Sequence, residues 1–256
     1  MLSTLIRRSA KAAVLPAGLF SRRRPGDVVV LLYHRLGDDG SEIELSAGAF
    51  ERHLATLVER DRPVTLDRAL SGEGGVVVTF DDGTPDFHSR VLPLLVRYNV
   101  PALLYLATGG VTSNGDPSAL TWSDLQEAVA TGLVSVGSHT HGHTDLSNAT
   151  EAEADDEMRR SKDLIEDRLG IACRHFAYPW GVGSPEADRA ARRTFATAAL
   201  DGWKVNRRDA VDPYRIARIP ILRSDGQLFF RAKVKGKLNA EAFLYRIARR
   251  GPWRPA

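Results

Sequence analysis

The sequence contains a single cysteine, Cys173, so no intramolecular disulfide can stabilise its fold. It also lacks any apolar run of roughly 20 residues, the length of a membrane-spanning helix. Residues 12–20 are apolar, but this stretch is short, contains Pro16 and Gly18, and runs into three consecutive arginines instead of a small-residue cleavage site. We therefore do not expect secretion, and we expect a cytoplasmic location or a peripheral one on the inner membrane face.

Basic residues are concentrated at the two ends of the chain. Residues 1–24 hold six Lys or Arg and no acid, and residues 231–256 hold eight Lys or Arg against one acid, Glu241. Since the net charge of the whole chain is +3, the residues between these ends carry −10. Basic ends of this kind predict contact with an anionic membrane surface, and no nucleic acid is expected because no nucleic-acid-binding motif accompanies them. Solubilising ends without a partner are the alternative.

Apolar strand-like runs alternate with helical patterns along most of the 256 residues, as is typical of a parallel βα architecture. The predicted strands are residues 28–34, 76–80, 102–107, 133–138, 175–178, 197–200 and 217–222. The predicted helices between them are residues 49–60, 87–98, 123–130, 151–169 and 185–194. About seven strands predict an α/β fold with a closed or nearly closed barrel in a single domain, whose functional groups collect at the carboxyl ends of the strands.

Two adjacent carboxylates, Asp81 and Asp82, follow the apolar strand 76–80. Charges at the end of a buried strand usually have a partner. His139 and His143 come just after a second apolar strand, and two neutral imidazoles with one carboxylate suit a divalent cation. One Asp would then remain beside the cation, where a hydrolase needs a general base.

Simpler interpretations exist for the same residues. The sequence Asp-Asp-Gly is by itself a common turn. His141 competes as a ligand, but in an extended loop it would point away from His139 and His143. Thr140 is better placed to brace that loop with its hydroxyl group.

The two motifs resemble those of a known enzyme family. Residues 79–83 (TFDDG) and 139–143 (HTHGH) are similar to the first two motifs of the polysaccharide deacetylases, the NodB-homology or carbohydrate esterase family 4 enzymes. Residues 31–35 (LLYHR) resemble the opening strand of that family, and residues 176–181 (FAYPWG) resemble its third motif. The resemblance covers about residues 27–225. We accordingly expect a basic N-terminal extension over residues 1–26, a catalytic barrel over 27–225, and a basic, helical tail over 226–256.

The resemblance implies a distorted (β/α) barrel and assigns roles to the motif residues. Asp81 would be the catalytic base, and Asp82, His139 and His143 would hold one divalent metal ion. We expect Zn²⁺, although Mn²⁺, Co²⁺ or Ni²⁺ would also suit two histidines and a carboxylate. An iron oxygenase site is an alternative for the same ligands, but the adjacent Asp81 argues against it.

The sequence departs from the family pattern at two places. Many members have an arginine that positions the base two residues before the third-motif proline, and here that residue is Ala177. The late Leu-x-His motif, whose histidine protonates the leaving amine, has no counterpart in residues 218–225. His34, at the end of the first strand, is the best remaining candidate for the acid, and a structural role in which it bonds to a ligand loop is the alternative for this residue. If His34 is not the acid, the protonated Asp81 could donate the proton.

Aromatic residues in the third motif predict a wall for a sugar ring. Tyr178, Pro179 and Trp180 follow a predicted strand, and Trp203 is a weaker candidate after the next one. Packing in the core is the alternative interpretation of these aromatic residues.

The expected function is a metal-dependent hydrolase that removes an N-acyl group, acetyl or formyl, from an amino sugar. The substrate would be a glycan or a lipid-linked sugar precursor, and the basic ends favour a biosynthetic substrate near the inner membrane face. Because the family's arginine and late histidine are absent, a catalytically degenerate barrel that binds glycans or acts as a scaffold is the alternative.

Overall fold

A computed structural model describes residues 23–112 and 119–237. Seven parallel strands form a closed barrel in the order β1-β4-β5-β6-β7-β8-β9, and β9 pairs with β1 to close it. These strands are β1 (Val28–Tyr33), β4 (Gly75–Phe80), β5 (Ala102–Leu106), β6 (Val134–Ser138), β7 (His175–Ala177), β8 (Thr197–Asp201) and β9 (Ile216–Pro220). A separate pair, β2 (Arg35–Leu36) and β3 (Glu44–Leu45), lies after β1. The predicted barrel is confirmed.

Helices connect the strands in the manner of a βα repeat. They are α1 (Ala47–Arg60), α2 (Leu66–Arg68), α3 (Leu92–Tyr98), α4 (Trp122–Ala130), α5 (Glu151–Leu169), α6 (Pro185–Thr194) and α7 (Gln227–Val234). The helical region predicted over residues 87–98 is divided, because a π-helical turn at Phe87–Val91 precedes α3. Among the described residues, no helix combines the length and apolar character needed to cross a membrane.

Local sequence signals fix where the longer helices begin and end. Thr150 and Glu153 form a capping box at the start of α5, and Gly170 ends that helix in the left-handed conformation. Ser184 accepts a hydrogen bond from the Ala187 amide at the start of α6. These caps set the ends of the connecting helices and therefore the lengths of the loops that carry site residues.

The barrel interior is filled mainly by small and branched side chains. It contains, among others, Val30, Val77, Ala177, Ala199 and Ile216. Since side chains two apart on a strand share a face, Arg218 on β9 points inward together with Ile216. A guanidinium in such an interior requires a partner, and the site described below supplies one.

The last described helix, α7, packs against the barrel. Phe230 stacks on His53 of α1 with the ring centroids 3.7 Å apart. Lys233 is fully buried and donates to Asp225 at 2.5 Å and to the Pro220 carbonyl at 2.8 Å. The predicted tail therefore starts with a helix that is part of the packed structure. Residues 1–22 of the predicted extension and 238–256 of the predicted tail lie outside the described residues.

Candidate metal centre and active site

The structure brings together the three predicted metal ligands. One donor atom from each of Asp82, His139 and His143 lies within 4.8 Å of the other two. The Asp82 Oδ1 atom is 3.1 Å from His143 Nε2 and 3.6 Å from His139 Nε2. A carboxylate and two imidazoles converging in this way fit a divalent cation such as Zn²⁺.

Neighbouring strands hold two of these ligands in place. The Asp82 carbonyl accepts a hydrogen bond from the Ala107 amide at 3.1 Å, and the His139 amide donates to the Leu106 carbonyl at 2.9 Å. The His139 Nδ1 atom lies 2.8 Å from the Ala177 carbonyl oxygen. A proton on Nδ1 would satisfy that carbonyl and leave Nε2 unprotonated toward the ligand cluster.

Polar contacts brace the loop that carries His143. Thr140 Oγ1 accepts a hydrogen bond from the Thr144 amide at 3.1 Å, which confirms its predicted bracing role. The Glu157 carboxylate of α5 accepts from the amides of His141 and Gly142 at 3.0 and 2.7 Å. The His141 ring is instead 2.9 Å from Thr108 Oγ1 and is not one of the three clustered ligands.

The backbone around the site adopts left-handed conformations that most residues avoid. Asp82, Thr140, His143 and Trp180 have φ values of 74°, 65°, 54° and 60°. Each such conformation costs on the order of 1–3 kcal/mol and persists only where the surroundings enforce it. These conformations are concentrated in the loops that carry the candidate ligands and the exposed tryptophan.

The protonation properties of the three ligands reflect their contacts. Burial alone would raise the pKa of Asp82, but the hydrogen bond with His143 and the nearby histidine charges outweigh it and bring the pKa to about 2. The same hydrogen bond raises the pKa of His143 against the effect of partial burial. Burial lowers the pKa of His139 despite the two nearby carboxylates, which favours a neutral imidazole able to bind a cation.

Asp81 lies beside this cluster and is held by an arginine that was not among the predicted site residues. Arg218 Nη1 donates to Asp81 Oδ1 at 2.5 Å, and both side chains are buried. The other carboxylate oxygen, Oδ2, is 3.6 Å from His139 Nε2. Asp81 therefore sits between a fixed cation and the candidate metal centre, where it could accept a proton from a nucleophilic water.

The surroundings of Arg218 explain how the site can do without an arginine at the position of Ala177. Arg218 also lies 3.8 Å from the Asp201 carboxylate and 5.2 Å from the centre of the Tyr105 ring. Although burial disfavours a charged guanidinium, these contacts and above all Asp81 raise the pKa of Arg218 above its ordinary value. The positively charged side chain that was expected at position 177 on β7 is thus supplied by Arg218 on β9. A charged residue in the middle of the apolar strand IARIP was the sequence signal that could have identified it.

The aromatic residues predicted to line the substrate site differ in their accessibility. Trp180 is 57% exposed, and its ring lies 5.2 Å from that of His143 in an edge-to-face arrangement. Tyr178 is only 1% exposed because its ring packs against Phe176, and Pro179 is buried too. The prediction that Tyr178 and Pro179 present a surface to a sugar is therefore wrong.

Trp203 is likewise a core residue in this fold. It is 8% exposed, and the buried Lys233 ammonium of α7 lies 5.1 Å from its ring centroid. Docking of α7 thus covers the ring that was predicted to contact a sugar. Only Trp180, among the four predicted wall residues, is substantially accessible next to a candidate ligand.

His34 lies directly after β1 at the end of the barrel that carries the other site residues. It is partly buried, and its charge contributes to lowering the pKa of Asp82. It is not one of the three clustered ligands. His34 is therefore not a candidate metal ligand, and it is available for another role at the same end of the barrel.

The barrel is the fold of solved polysaccharide deacetylases, and the chain belongs to the polysaccharide deacetylase family. Residues 70–199, half of the chain, match the family model described as polysaccharide deacetylase. The Bacillus subtilis protein YxkH is 27% identical over 181 residues, which cover 67% of this chain and 63% of that protein. The poly-beta-1,6-N-acetyl-D-glucosamine N-deacetylase of Staphylococcus epidermidis is 24% identical over 154 residues, 56% of this chain and 53% of that protein.

Solved structures agree with the family assignment. IcaB from Ammonifex degensii has a TM-score of 0.70 and 26% identity, over 81% of this chain and 95% of that one. The Streptococcus pyogenes deacetylase PplD, solved with acetate, has a TM-score of 0.74 and 24% identity, over 82% and 99% of the two chains, and supports the fold alone. The curated relatives are longer, since this chain spans only 63% and 53% of the two described above.

Proposed function

We propose that this protein is a metal-dependent hydrolase that removes an N-acyl group from an amino sugar in a glycan or in a lipid-linked sugar precursor. The observation that carries the proposal is the position of Asp81, which is held by Arg218 beside the cluster of Asp82, His139 and His143. A relative that is named for removal of acetyl groups from poly-N-acetylglucosamine supports the choice of substrate class.

The ligand set would hold one divalent ion through Asp82 Oδ1 and the Nε2 atoms of both histidines. When bound, such an ion supplies a Lewis acid for the acyl carbonyl and lowers the pKa of a nearby water. Binding of a cation and protonation of His143 would exclude each other, because a histidine ligand must be neutral. Zn²⁺ is the ion we propose, since it favours nitrogen and oxygen donors in this number.

The protein residues would carry the proton transfers. Asp81 accepts the proton of the attacking water as that water adds to the acyl carbon, and Arg218 keeps the accepting carboxylate in one orientation. The carbon–nitrogen bond then breaks, which releases the carboxylic acid and the free amine of the sugar. His34, at the same rim, donates the proton to the leaving nitrogen, and the proton held by Asp81 is the second source for that step.

Trp180 would position the sugar. Its exposed ring lies against His143, so a sugar face stacked on it would place an N-acyl group next to the ligand cluster. This role requires only one accessible ring, which agrees with the burial of Tyr178 and Trp203.

The first test is metal content, measured by plasma mass spectrometry on the wild type and on His143→Ala. We expect about one divalent ion per wild-type chain and its loss from the variant. The second test is acetate release from N-acetylated glucosamine oligomers, with Asp81→Asn as the matched variant. Asp81→Asn should keep the metal and lose turnover by a factor of roughly 10²–10⁴. Metal retention with no hydrolysis in the wild type, on acetyl or formyl substrates, would favour the degenerate glycan-binding barrel instead.

A further inference from the structure

The barrel has a second feature at the end opposite the candidate active site. A cavity of about 1040 Å³ opens where the strands begin, and its lining includes Gly26, Gly74, Pro101 and Leu133, which lie next to the starts of β1, β4, β5 and β6. The ligand cluster follows the carboxyl ends of two of these strands, β4 and β6. We refer to the end that contains this cavity as the basal face.

The acidic residues of the cavity wall are all neutralised. Each of its three carboxylates is paired with an arginine: Asp27 with Arg207 at 2.6 Å, Asp61 with Arg23 at 3.3 Å, and Glu73 with Arg68 at 3.0 Å. Two further arginines of the wall, Arg24 and Arg62, are exposed. Among the residues that the structure describes, neither guanidinium group has a carboxylate oxygen within 4.0 Å, and only the backbone amide of Arg24 donates to Asp27, at 2.8 Å. The cavity therefore has a surplus of positive charge.

Additional basic residues border the same face. The side chain of Arg208 lies over Gly26, so close that a Cβ atom at this glycine would be 2.4 Å from the arginine Cδ. Arg208 and Lys235 are both exposed. The Lys235 carbonyl accepts a hydrogen bond from the Arg23 amide at 3.1 Å, which brings the end of α7 to the basal face.

This hydrogen bond also shows where the two basic ends of the chain attach. The described chain starts at residue 23 and stops at residue 237, within two residues of the bonded pair. Residues 1–22 and 238–256 each contain four Lys or Arg, with Glu241 as the single acid between them. Both segments therefore join the protein at the face that already has surplus positive charge.

We propose that the basal face binds an anionic phospholipid membrane surface, with a lipid phosphate group between Arg24 and Arg62. The charge of the face matches such a surface, and each basic side chain near it adds to the attraction. The adjoining segments favour lipid over nucleic acid, because they intersperse basic residues with apolar and aromatic ones, as in LYRIARR at residues 244–250.

The proposal predicts how the enzyme is oriented. The longest barrel strands have six residues, so the two ends of the barrel are roughly 20 Å apart. With the basal face on the membrane, the rim that carries Asp81 and the ligand cluster faces the aqueous phase. This orientation suits a glycan chain that extends into solution better than a sugar held close to the bilayer, and it goes beyond the proposed chemistry.

The test is co-sedimentation of the full chain with vesicles of phosphatidylcholine alone and of phosphatidylcholine mixed with phosphatidylglycerol. The basal variant is Arg24→Glu/Arg62→Glu. The control is Arg159→Glu/Arg160→Glu, which makes the same charge change on exposed arginines of α5. We expect binding to the anionic vesicles only, weakened about 30-fold or more in the basal variant and at most a few-fold in the control. Thermal melting of all three proteins checks that the variants are folded.

Four other results would overturn the proposal. The first is no binding of the wild type to anionic vesicles, and the second is an equal loss in the basal and control variants, which would indicate attraction by net charge alone. Binding of glycerol phosphate in calorimetry without binding to vesicles would identify a small-anion site. Tighter binding to double-stranded DNA or RNA than to vesicles, lost in the basal variant, would identify a nucleic-acid surface.

Discussion

Arg218 and Asp81 are 137 residues apart in the sequence, yet Arg218 Nη1 donates to Asp81 Oδ1 at 2.5 Å between two buried side chains. The closure of the barrel makes this contact, because β9 and β4 both pair with β1. The contact joins the last strand of the barrel to the carboxylate that we propose as catalytic base. The orientation of the proposed catalytic base therefore depends on the closure of the barrel.

Replacing Arg218 by lysine is expected to lower kcat while leaving the metal in place. Lysine keeps the charge but lacks the planar fork of the guanidinium, so the Asp81 carboxylate would lose its fixed orientation. A displacement of about 1 Å at a catalytic group can reduce the rate about 100-fold. Steady-state kinetics and metal content measured on the same preparation check this, with the exposed Arg168→Lys as control. An unchanged kcat in Arg218→Lys would remove the positioning role.

Removing the charge altogether is expected to affect folding as well. Arg218→Met would leave the Asp81 carboxylate buried without its cation, and such losses cost about 3–5 kcal/mol. The free energy of unfolding in urea should fall by that amount, and Arg218→Met/Asp81→Asn should recover part of it. A loss below about 1 kcal/mol would mean that the pair contributes little to stability.

The two tryptophans near the site are expected to respond differently to truncation. Trp180→Ala should lower kcat/KM by up to about tenfold without lowering the melting temperature, because its ring is 57% exposed and lies edge-to-face beside His143. Trp203→Ala should instead lower stability by about 3–5 kcal/mol, since it leaves a cavity beneath α7. Kinetics and urea denaturation of both variants provide the comparison. Equal effects on kcat/KM at equal stability would contradict the assignment of Trp180 as the accessible ring.

Much of the fold and of the ligand cluster could be predicted from local patterns. Alternating apolar runs located the barrel strands, and the residues that end them, Asp82 and His139, indeed lie together. The role of Arg218 could not be read locally, since it depends on which strands become neighbours when the barrel closes. Tyr178 is buried whereas Trp180 is exposed, and this difference depends on the left-handed turn at Trp180, where φ is 60°. No local sequence pattern specified that turn.

The buried ion pair between Lys233 of α7 and Asp225, which precedes that helix, predicts how strongly α7 is bound to the barrel. Lys233→Met would leave the buried Asp225 carboxylate without its ammonium partner and should cost about 3–5 kcal/mol. Asp225→Asn retains an oxygen that can accept the Leu222 amide, so Lys233→Met/Asp225→Asn should be more stable than Lys233→Met. A double-mutant cycle in urea measures the coupling. A coupling near zero would show that the Lys233–Asp225 pair adds nothing to the attachment of α7.

His53 is expected to make the stability of the protein depend on pH. Burial lowers its pKa from the ordinary value of 6.5 to about 4, with the nearby Asp225 charge opposing the shift. Between these two values the unfolded chain binds a proton that the folded chain does not. Stability therefore rises with pH in this window and falls by roughly 3 kcal/mol as the pH is lowered from 6.5 to 4.

The contribution of His53 can be separated from that of other titrating groups by comparing the wild type with His53→Gln. The variant should be less stable at pH 7.5, because it loses the ring stacked on Phe230, but its amide can still bond to the Tyr33 hydroxyl. Since glutamine does not titrate, the stability gap between the two proteins should narrow by roughly 3 kcal/mol as the pH falls to 4. Urea denaturation across this pH range measures the gap. If the gap stayed constant, the imidazole would have to take up its proton equally in the folded and unfolded chains, which its burial under α7 argues against.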